Sequence, residues 1–349
     1  MSKILEEDIR EIAVNLADRV KEFAGKTVLV TGATGLIGSL VVRVLDFMNR
    51  EEGANVTVIA VVRDLEKARM LLGGGGILSS EAIRIYAQKD INSLSVDEDI
   101  DYIIHTASPT QSKFFVEKPV ETITAIIDGT NQVLTLAKEK KVKKMVFLSS
   151  MEMYGVCNDQ MVTEGSQGFV SVFEARSSYP MGKRAAETLC FAYNNEYSVP
   201  VVVARLAMCF GSGLSLNDNR VHKSFCEAAL KGQDIIVKSS GKTVVNFVYS
   251  TDAIVAILLL LLDGKPGDAY NIAGDSCSYT IMDMANTIAK MGGVSVKQQI
   301  PDEDSGFAPD NTMVLSSEKM RKLGWQPKYD INASLKRLMD YLREDNLAQ

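Results

Sequence analysis

Histidine is scarce: His105 and His222 are the only two in 349 residues. That excludes a His-rich metal centre and leaves little material for a serine-hydrolase triad. Five cysteines occur, Cys157, Cys190, Cys209, Cys226 and Cys277, widely spaced and never as C-x-x-C. An odd, scattered set points to reduced thiols in a cytoplasm, not to a disulfide framework. Basic charge is not in excess either. Lys and Arg number 38 against 44 Asp and Glu, a net charge of −6, which argues against nucleic acid as a partner. Long apolar runs are missing too. The longest, residues 253–262 between Asp252 and Asp263, has about half of the roughly 20 residues a membrane span needs, and reads as a buried helix. The first residues, MSKILEEDIREI, are charged and lack a signal-peptide core.

Apolar residues make up 46% and charged residues 23%, the balance of a globular chain and not of a disordered or collagen-like one. The length allows about two domains, or one large α/β unit with a smaller lobe. In residues 1–25, Ile4, Leu5, Ile9, Ile12, Leu16, Val20 and Phe23 recur at helical spacing, and Gly25 closes the segment. This predicts a helical extension packed outside the main domain. Short apolar runs follow at 28–31, 56–62, 83–86, 102–105, 145–148 and 201–204. Helical patterns separate most of them, the longest at 116–140 and 179–197. Strands alternating with helices predict a doubly wound parallel sheet of Rossmann type. The fully apolar strands suit burial on both faces. Residues 26–210, with 243–262 returning, are assigned to that domain. The turn-rich remainder, 211–242 and 263–349, is assigned to a smaller C-terminal α/β substrate lobe. Gly73 to Gly76 is the one low-complexity stretch and reads as a surface turn.

Four motifs carry chemistry. TGATGLIG, residues 31–38, follows the first strand and opens a helix. Gly32 allows a sharp turn, Gly35 lets the backbone approach a pyrophosphate, and Gly38 lets the helix pack close to the strand. The second strand ends in Arg63 and Asp64. An acidic residue there binds the adenosine ribose and an arginine accepts a 2′-phosphate, so NAD and NADP both remain open. Asp90 and Ile91, after the third strand, are candidates to border the adenine. Tyr179 and Lys183 stand four residues apart at the start of a helix, on one face. A nearby ammonium favours phenolate and turns a weak acid into a usable general base. SSMEMYG, residues 149–155, follows the fifth strand, where ligands of such sheets bind. It offers the Ser150 hydroxyl and the Glu152 carboxylate to one pocket.

TGATGLIG, SSMEMYG and YPMGK, in this order and spacing, resemble the extended short-chain dehydrogenase/reductase family. Its members include nucleotide-sugar epimerases, dehydratases and decarboxylases. The likeness covers about residues 26–345 and continues through YNIAG (270–274) and KLGWQP (322–327). YPMGKRAAETLC (179–190) and NRV (219–221) are most similar to the UDP-glucuronate decarboxylase and dTDP-glucose 4,6-dehydratase branch. The resemblance implies Ser150, Tyr179 and Lys183 as catalytic positions and Glu152 near sugar C5. It places Thr34, Leu36, Ile37, Thr106, Ala107 and Ser108 on the cofactor with the glycines. Ser108, Ser150, Met151, Arg176, Met208 and Arg220 fall on the substrate side.

The departures are specific. Met151 stands where the dehydratases carry an aspartic acid. Met208, Gly213, Val245 and Ile126 replace polar positions of the pattern. They imply an atypical grip on the nucleotide sugar. The expectation is an epimerase acting through a transient 4-keto sugar, with a tightly bound, recycled NAD or NADP and no metal. The alternatives are a dehydratase or decarboxylase using Glu152 as base, or a keto-sugar reductase. By the same resemblance, helices 116–140 and 179–197 are expected to pair two copies into a homodimer.

Overall fold

The computed structural model describes residues 1–73, 80–215, 218–274, 278–300 and 312–347. Cys277, Gly74 to Gly76, most of the turn at 299–306 and the side chain of Val245 lie outside that description. The strands are β1 (Thr27–Thr31), β2 (Thr57–Val62), β3 (Ile83–Ala87), β4 (Tyr102–His105), β5 (Lys144–Ser150), β6 (Val201–Leu206), β7 (Met208–Phe210), β8 (Ile235–Val237), β9 (Val244–Tyr249), β10 (Asp268–Ile272), β11 (Ser278–Thr280), β12 (Val296–Gln298) and β13 (Thr312–Met313). The helices are α1 (Lys3–Asn15), α2 (Val20–Phe23), α3 (Leu36–Glu52), α4 (Leu65–Leu72), α5 (Ser112–Glu117), α6 (Pro119–Lys140), α7 (Ser178–Tyr197), α8 (Val221–Leu230), α9 (Ser250–Asp263), α10 (Ile281–Gly292), α11 (Glu318–Arg321) and α12 (Ile331–Leu347).

Seven parallel strands form the main sheet in the order β10-β6-β5-β4-β1-β2-β3. Side chains alternate across each strand, so one sheet supplies two apolar faces. Val28, Val30, Val146 and Leu148 point to one core, shared with α1, α3 and α9. Leu29, Ile103, Met145 and Phe147 point to the other, shared with Ile126, Val133 and Leu134 of α6 and with Ala186 and Cys190 of α7. Strand order reverses at β1, whose neighbours are β2 and β4. A crevice between the carboxyl ends of β1 and β4 is where such sheets take their ligands. A smaller layer follows, in which β9 pairs with β7, β11 and β13, and β8 pairs with β12. Among the described residues no helix is long and apolar enough to cross a membrane.

The structure corrects the sequence-based division in several places. β10, assigned to the lobe, is the edge strand of the main sheet, paired in parallel with β6. Its four buried residues explain the placement, since the open edge of β6 satisfies its amides. In residues 243–262, α9 packs on β5 and β6, whereas β9 belongs to the small sheet. The helix expected at 116–140 is two, broken at Lys118, because a proline at 119 disfavours helical backbone before it. The extension at 1–25 is α1 and α2 joined by a 3₁₀ turn. α1 contacts α3, α9 and α12, and buried Asp8 accepts hydrogen bonds from Ser212 and Tyr249 at 2.6 Å each. Arg337 of α12 pairs with the same carboxylate at 2.6 Å. The extension is thus stitched to the body by a polar clasp as well as by its apolar stripe.

Candidate active site

Gly32 and Gly38 show why β1 must run into a glycine turn. Gly32 has φ +65°, and a Cβ there would stand 2.7 Å from Thr106 Oγ1 and 2.9 Å from Ala107 N. At Gly38 a Cβ would stand 2.4 Å from Gly32 O, so α3 could not approach β1. α3 opens at Gly35 with no side-chain cap, which leaves its first amides available to an anion. Thr106 Oγ1 donates to Thr31 O at 2.6 Å, and Ala107 N donates to Thr31 Oγ1 at 3.2 Å. These bonds bind the loop after β4 to the turn after β1 and shape the crevice. A dinucleotide pyrophosphate fits this cradle. Thr34, Leu36 and Ile37 are partly exposed on its rim, as is Ser108, whose Oγ donates to Pro109 O at 3.1 Å.

Ser150 is the last residue of β5, and its Oγ accepts from Glu152 N at 3.2 Å, capping a 3₁₀ turn over Met151–Tyr154. Glu152 is held by Arg176 Nη1 at 2.8 Å, both side chains about one-third exposed. Tyr179, one residue into α7, lies parallel to the Phe115 ring, centroids 4.2 Å apart. Burial pushes its phenol well above the ordinary tyrosine range, and the Glu152 charge adds to this. The Ser150 hydrogen bond, Arg220 and Arg176 oppose. Lys183 lies four residues further along α7. Its ammonium donates to Leu148 O at 2.8 Å and sits 5.9 Å from the Tyr179 ring centroid. Burial lowers the Lys183 pKa to about 8, with Glu187 opposing.

The structure therefore gathers Ser150, Glu152, Arg176, Tyr179, Lys183 and Arg220 around one point beyond β5. Arg220 is not a free cation: Asp218 takes its Nη2 at 2.7 Å, and Cys209 O accepts from Nη1 at 3.1 Å. Two expected substrate contacts pack largely among apolar neighbours. Met151 is only 7% exposed and belongs to the apolar core, because the 3₁₀ turn directs it inward. Met208 begins β7, pairs with Phe247 and packs against the same core. Gly213 approaches Leu5 and Leu40, not the site. Ile126 is a core residue of α6 facing Gly182. At the adenosine end, Asp90 caps the turn at 91–93 by accepting from Asn92 N at 3.0 Å, and Ile91 packs on Gly129. Asp64 caps α4 by accepting from Lys67 N at 3.0 Å, beside an exposed Arg63.

Sequence reasoning missed three contributors. Phe115 stacks on Tyr179, and nothing in SKFFVE marks it. His105 Nδ1 meets Thr31 Oγ1 at 2.7 Å and its Nε2 meets Thr130 Oγ1 at 3.3 Å, which joins β1, β4 and α6 beneath the site. Burial, then Lys183, pushes its pKa down to about 3, so it stays neutral. Asp218 was legible in principle, as an acid two residues before Arg220.

Residues 28–273 match the model of the NAD dependent epimerase/dehydratase family. The chain is 30% identical over 312 residues to UDP-glucuronic acid decarboxylase 6 of Arabidopsis thaliana, covering 88% of this chain and 86% of that protein. It is 26% identical to the human dTDP-D-glucose 4,6-dehydratase, over 92% and 91% of the two chains. In fold it is similar to an epimerase from Methanothermobacter thermautotrophicus, with a TM-score of 0.79 at 21% identity, covering 96% and 97%.

Proposed function

The chain belongs to the NAD dependent epimerase/dehydratase family, and on that premise we propose that it epimerises a nucleotide-diphosphate sugar through a transient 4-keto sugar. The observation that carries this is the state of the groups around Ser150, Tyr179 and Lys183. Met151 is buried in the core, and Glu152 is tied to Arg176 at 2.8 Å. Elimination of water needs an acid for the leaving hydroxide and a free base at the neighbouring carbon. Epimerisation at C4 needs neither. The bound cofactor, when present, supplies a reversible two-electron acceptor and a positive ring that favours phenolate. Tyr179 takes the proton of the C4 hydroxyl, and Ser150 orients that hydroxyl. Lys183, anchored on Leu148 O, holds the cofactor ribose. Phe115 keeps the phenol ring in plane, and the apolar wall around it excludes water.

A second reading is decarboxylation of a nucleotide-linked uronic acid. Arg176 and Arg220 both act electrostatically on Tyr179, and the relative in Arabidopsis thaliana is a UDP-glucuronic acid decarboxylase. A 4-keto uronate is a β-keto acid, which loses carbon dioxide without the acid that Met151 replaces. A panel of nucleotide sugars followed by mass and NMR separates the readings. An unchanged mass with inverted C4 supports epimerisation. Loss of carbon dioxide supports the second reading, and loss of water overturns both.

Glu152→Gln tests the same choice within the site. For an epimerase it should cost no more than about tenfold in rate, the worth of a hydrogen bond of about 0.5–1.5 kcal/mol. If single-turnover absorbance in the reduced-nicotinamide band instead shows trapped reduced cofactor and no product, Glu152 is an essential base and the epimerase reading fails.

A homodimer belongs to this proposal. α6 and α7 pack side by side, and Ile123, Ile127 and Leu189 stay partly exposed on them. Light scattering at micromolar concentration is expected to give twice the chain mass, and a monomer mass would reject the pairing.

A further inference from the structure

Helix α1 precedes the span that matches the family, which begins at residue 28, yet it places a carboxylate deep inside the body. Asp8, Ser212 and Tyr249 are each at most 1% exposed. Oδ2 of Asp8 accepts from Ser212 Oγ and from Tyr249 OH at 2.6 Å each. Oδ1 accepts from Arg337 Nε at 3.0 Å and from its Nη2 at 2.6 Å. These bonds fill the roughly four lone-pair positions of a carboxylate. We propose that Asp8 and Ser212 are positioning residues, through which α1 sets Arg220 and with it the grip on the nucleotide sugar; this rests on the nucleotide-sugar reading of the active site.

The connection runs through β7. Phe210 is in register with Tyr249 of β9, and Ser212 follows Phe210 by two residues. The hydroxyls that reach Asp8 thus leave the same end of one strand pair. A Cβ at Gly211 would overlap Ser250 Oγ, so this end also lies close against the start of α9. One residue before Phe210, Cys209 O accepts from Arg220 Nη1 at 3.1 Å. The guanidinium therefore hangs on the strand whose end Asp8 holds. Its other partner, Asp218, stands two residues away in the same segment and gives no independent anchor. Cohesion alone does not require the carboxylate, since Leu5, Ile9, Ile12 and Ala13 already bury the apolar stripe of α1. Taking a charge out of water is costly, and apolar replacements of buried ion pairs are often neutral or stabilising. Directional hydrogen bonds add what apolar contacts lack, a fixed geometry.

Ser212→Ala in the full chain is the test. It removes one hydroxyl and leaves Asp8 bonded to Tyr249 and Arg337, so the fold is kept. Hydrogen exchange followed by mass spectrometry, without substrate, should show peptides of β7 and the start of α8 exchanging at least about fivefold faster, with β1 and β4 unchanged. On the nucleotide sugar identified by the panel, KM should rise about tenfold, short of the hundredfold that a displacement of about 1 Å can cost. kcat and cofactor affinity should stay within about threefold. With Arg220→Gln already in place, Ser212→Ala should raise KM by less than about twofold more, because the route through Arg220 is gone. Unchanged exchange in β7 would overturn the proposal and leave the nucleotide-sugar reading intact. So would a KM effect of equal size in both backgrounds, which is what a merely structural role gives. A panel without any turnover would overturn both.

Discussion

Tyr179→Phe is expected to lower turnover by about 10²–10⁴-fold, the usual worth of a positioned general base, while cofactor affinity stays within about threefold. The geometry makes the substitution clean. The ring lies parallel to Phe115 at 4.2 Å, and a phenylalanine keeps that stack and its volume. The loss is confined to one hydroxyl, which interacts with Ser150. Burial already holds the phenol above its ordinary range, so the apoprotein gives up little by its removal. The loss should appear in kcat and not in KM, because the proton moves only in the reaction. Single-turnover rates on the substrate found by the panel, together with cofactor titration, provide the check. A variant with wild-type turnover would mean that another group removes the proton.

The second large effect is a loss of stability in acid. His105 and His222 are buried, and burial first of all pushes each pKa down to about 3. An unfolded histidine titrates near 6.5. Below that value the unfolded chain binds protons that the folded chain refuses. Stability is therefore fully present above about pH 6.5 and falls as the pH drops toward 3, by up to roughly 5 kcal/mol for each histidine. Asp252 works in the opposite sense: burial raises its carboxyl to about 6, so the folded state binds its proton first. That returns about 3 kcal/mol over part of the range. The net expectation is a falling unfolding free energy between pH 6.5 and 4, measured by urea titration at several pH values. A flat profile would contradict it.

The two histidines separate by mutation. His222 stacks on Phe210 at 5.0 Å, and neither of its ring nitrogens has a hydrogen-bond partner among the described residues. His222→Leu should then leave stability at pH 7 unchanged or higher, since an unsatisfied buried polar group is removed. It should also remove about half of the acid dependence. His105→Leu would instead break the contacts to Thr31 and Thr130 and disturb the crevice.

The main sheet was legible because parallel strands buried on both faces are apolar without interruption, as in TVIAVV and VVVARL. The glycine turn was legible because only glycine suits φ +65° at position 32 and the 2.4 Å approach at position 38. The placement of β10 was not, because DAYNI is short and its partner β6 lies about sixty residues away. No local pattern states which open edge a strand will fill. Met151 was also opaque, since its direction depends on a 3₁₀ turn whose cap is Ser150 itself.

By itself the sequence determined the α/β class, the cofactor cradle and the motifs that hold Ser150, Tyr179 and Lys183. Each depends on backbone conformation or spacing within one strand–turn–helix unit. Only the tertiary structure decided which charges are free. Asp64 is spent on a helix cap and Arg63 is not, Glu152 is tied to Arg176, and Arg220 to Asp218. It also decided that Lys183 rests on Leu148 O. The physical reason is that ion pairs and burial are set by distances across the fold, and a charge acts according to its neighbours in space.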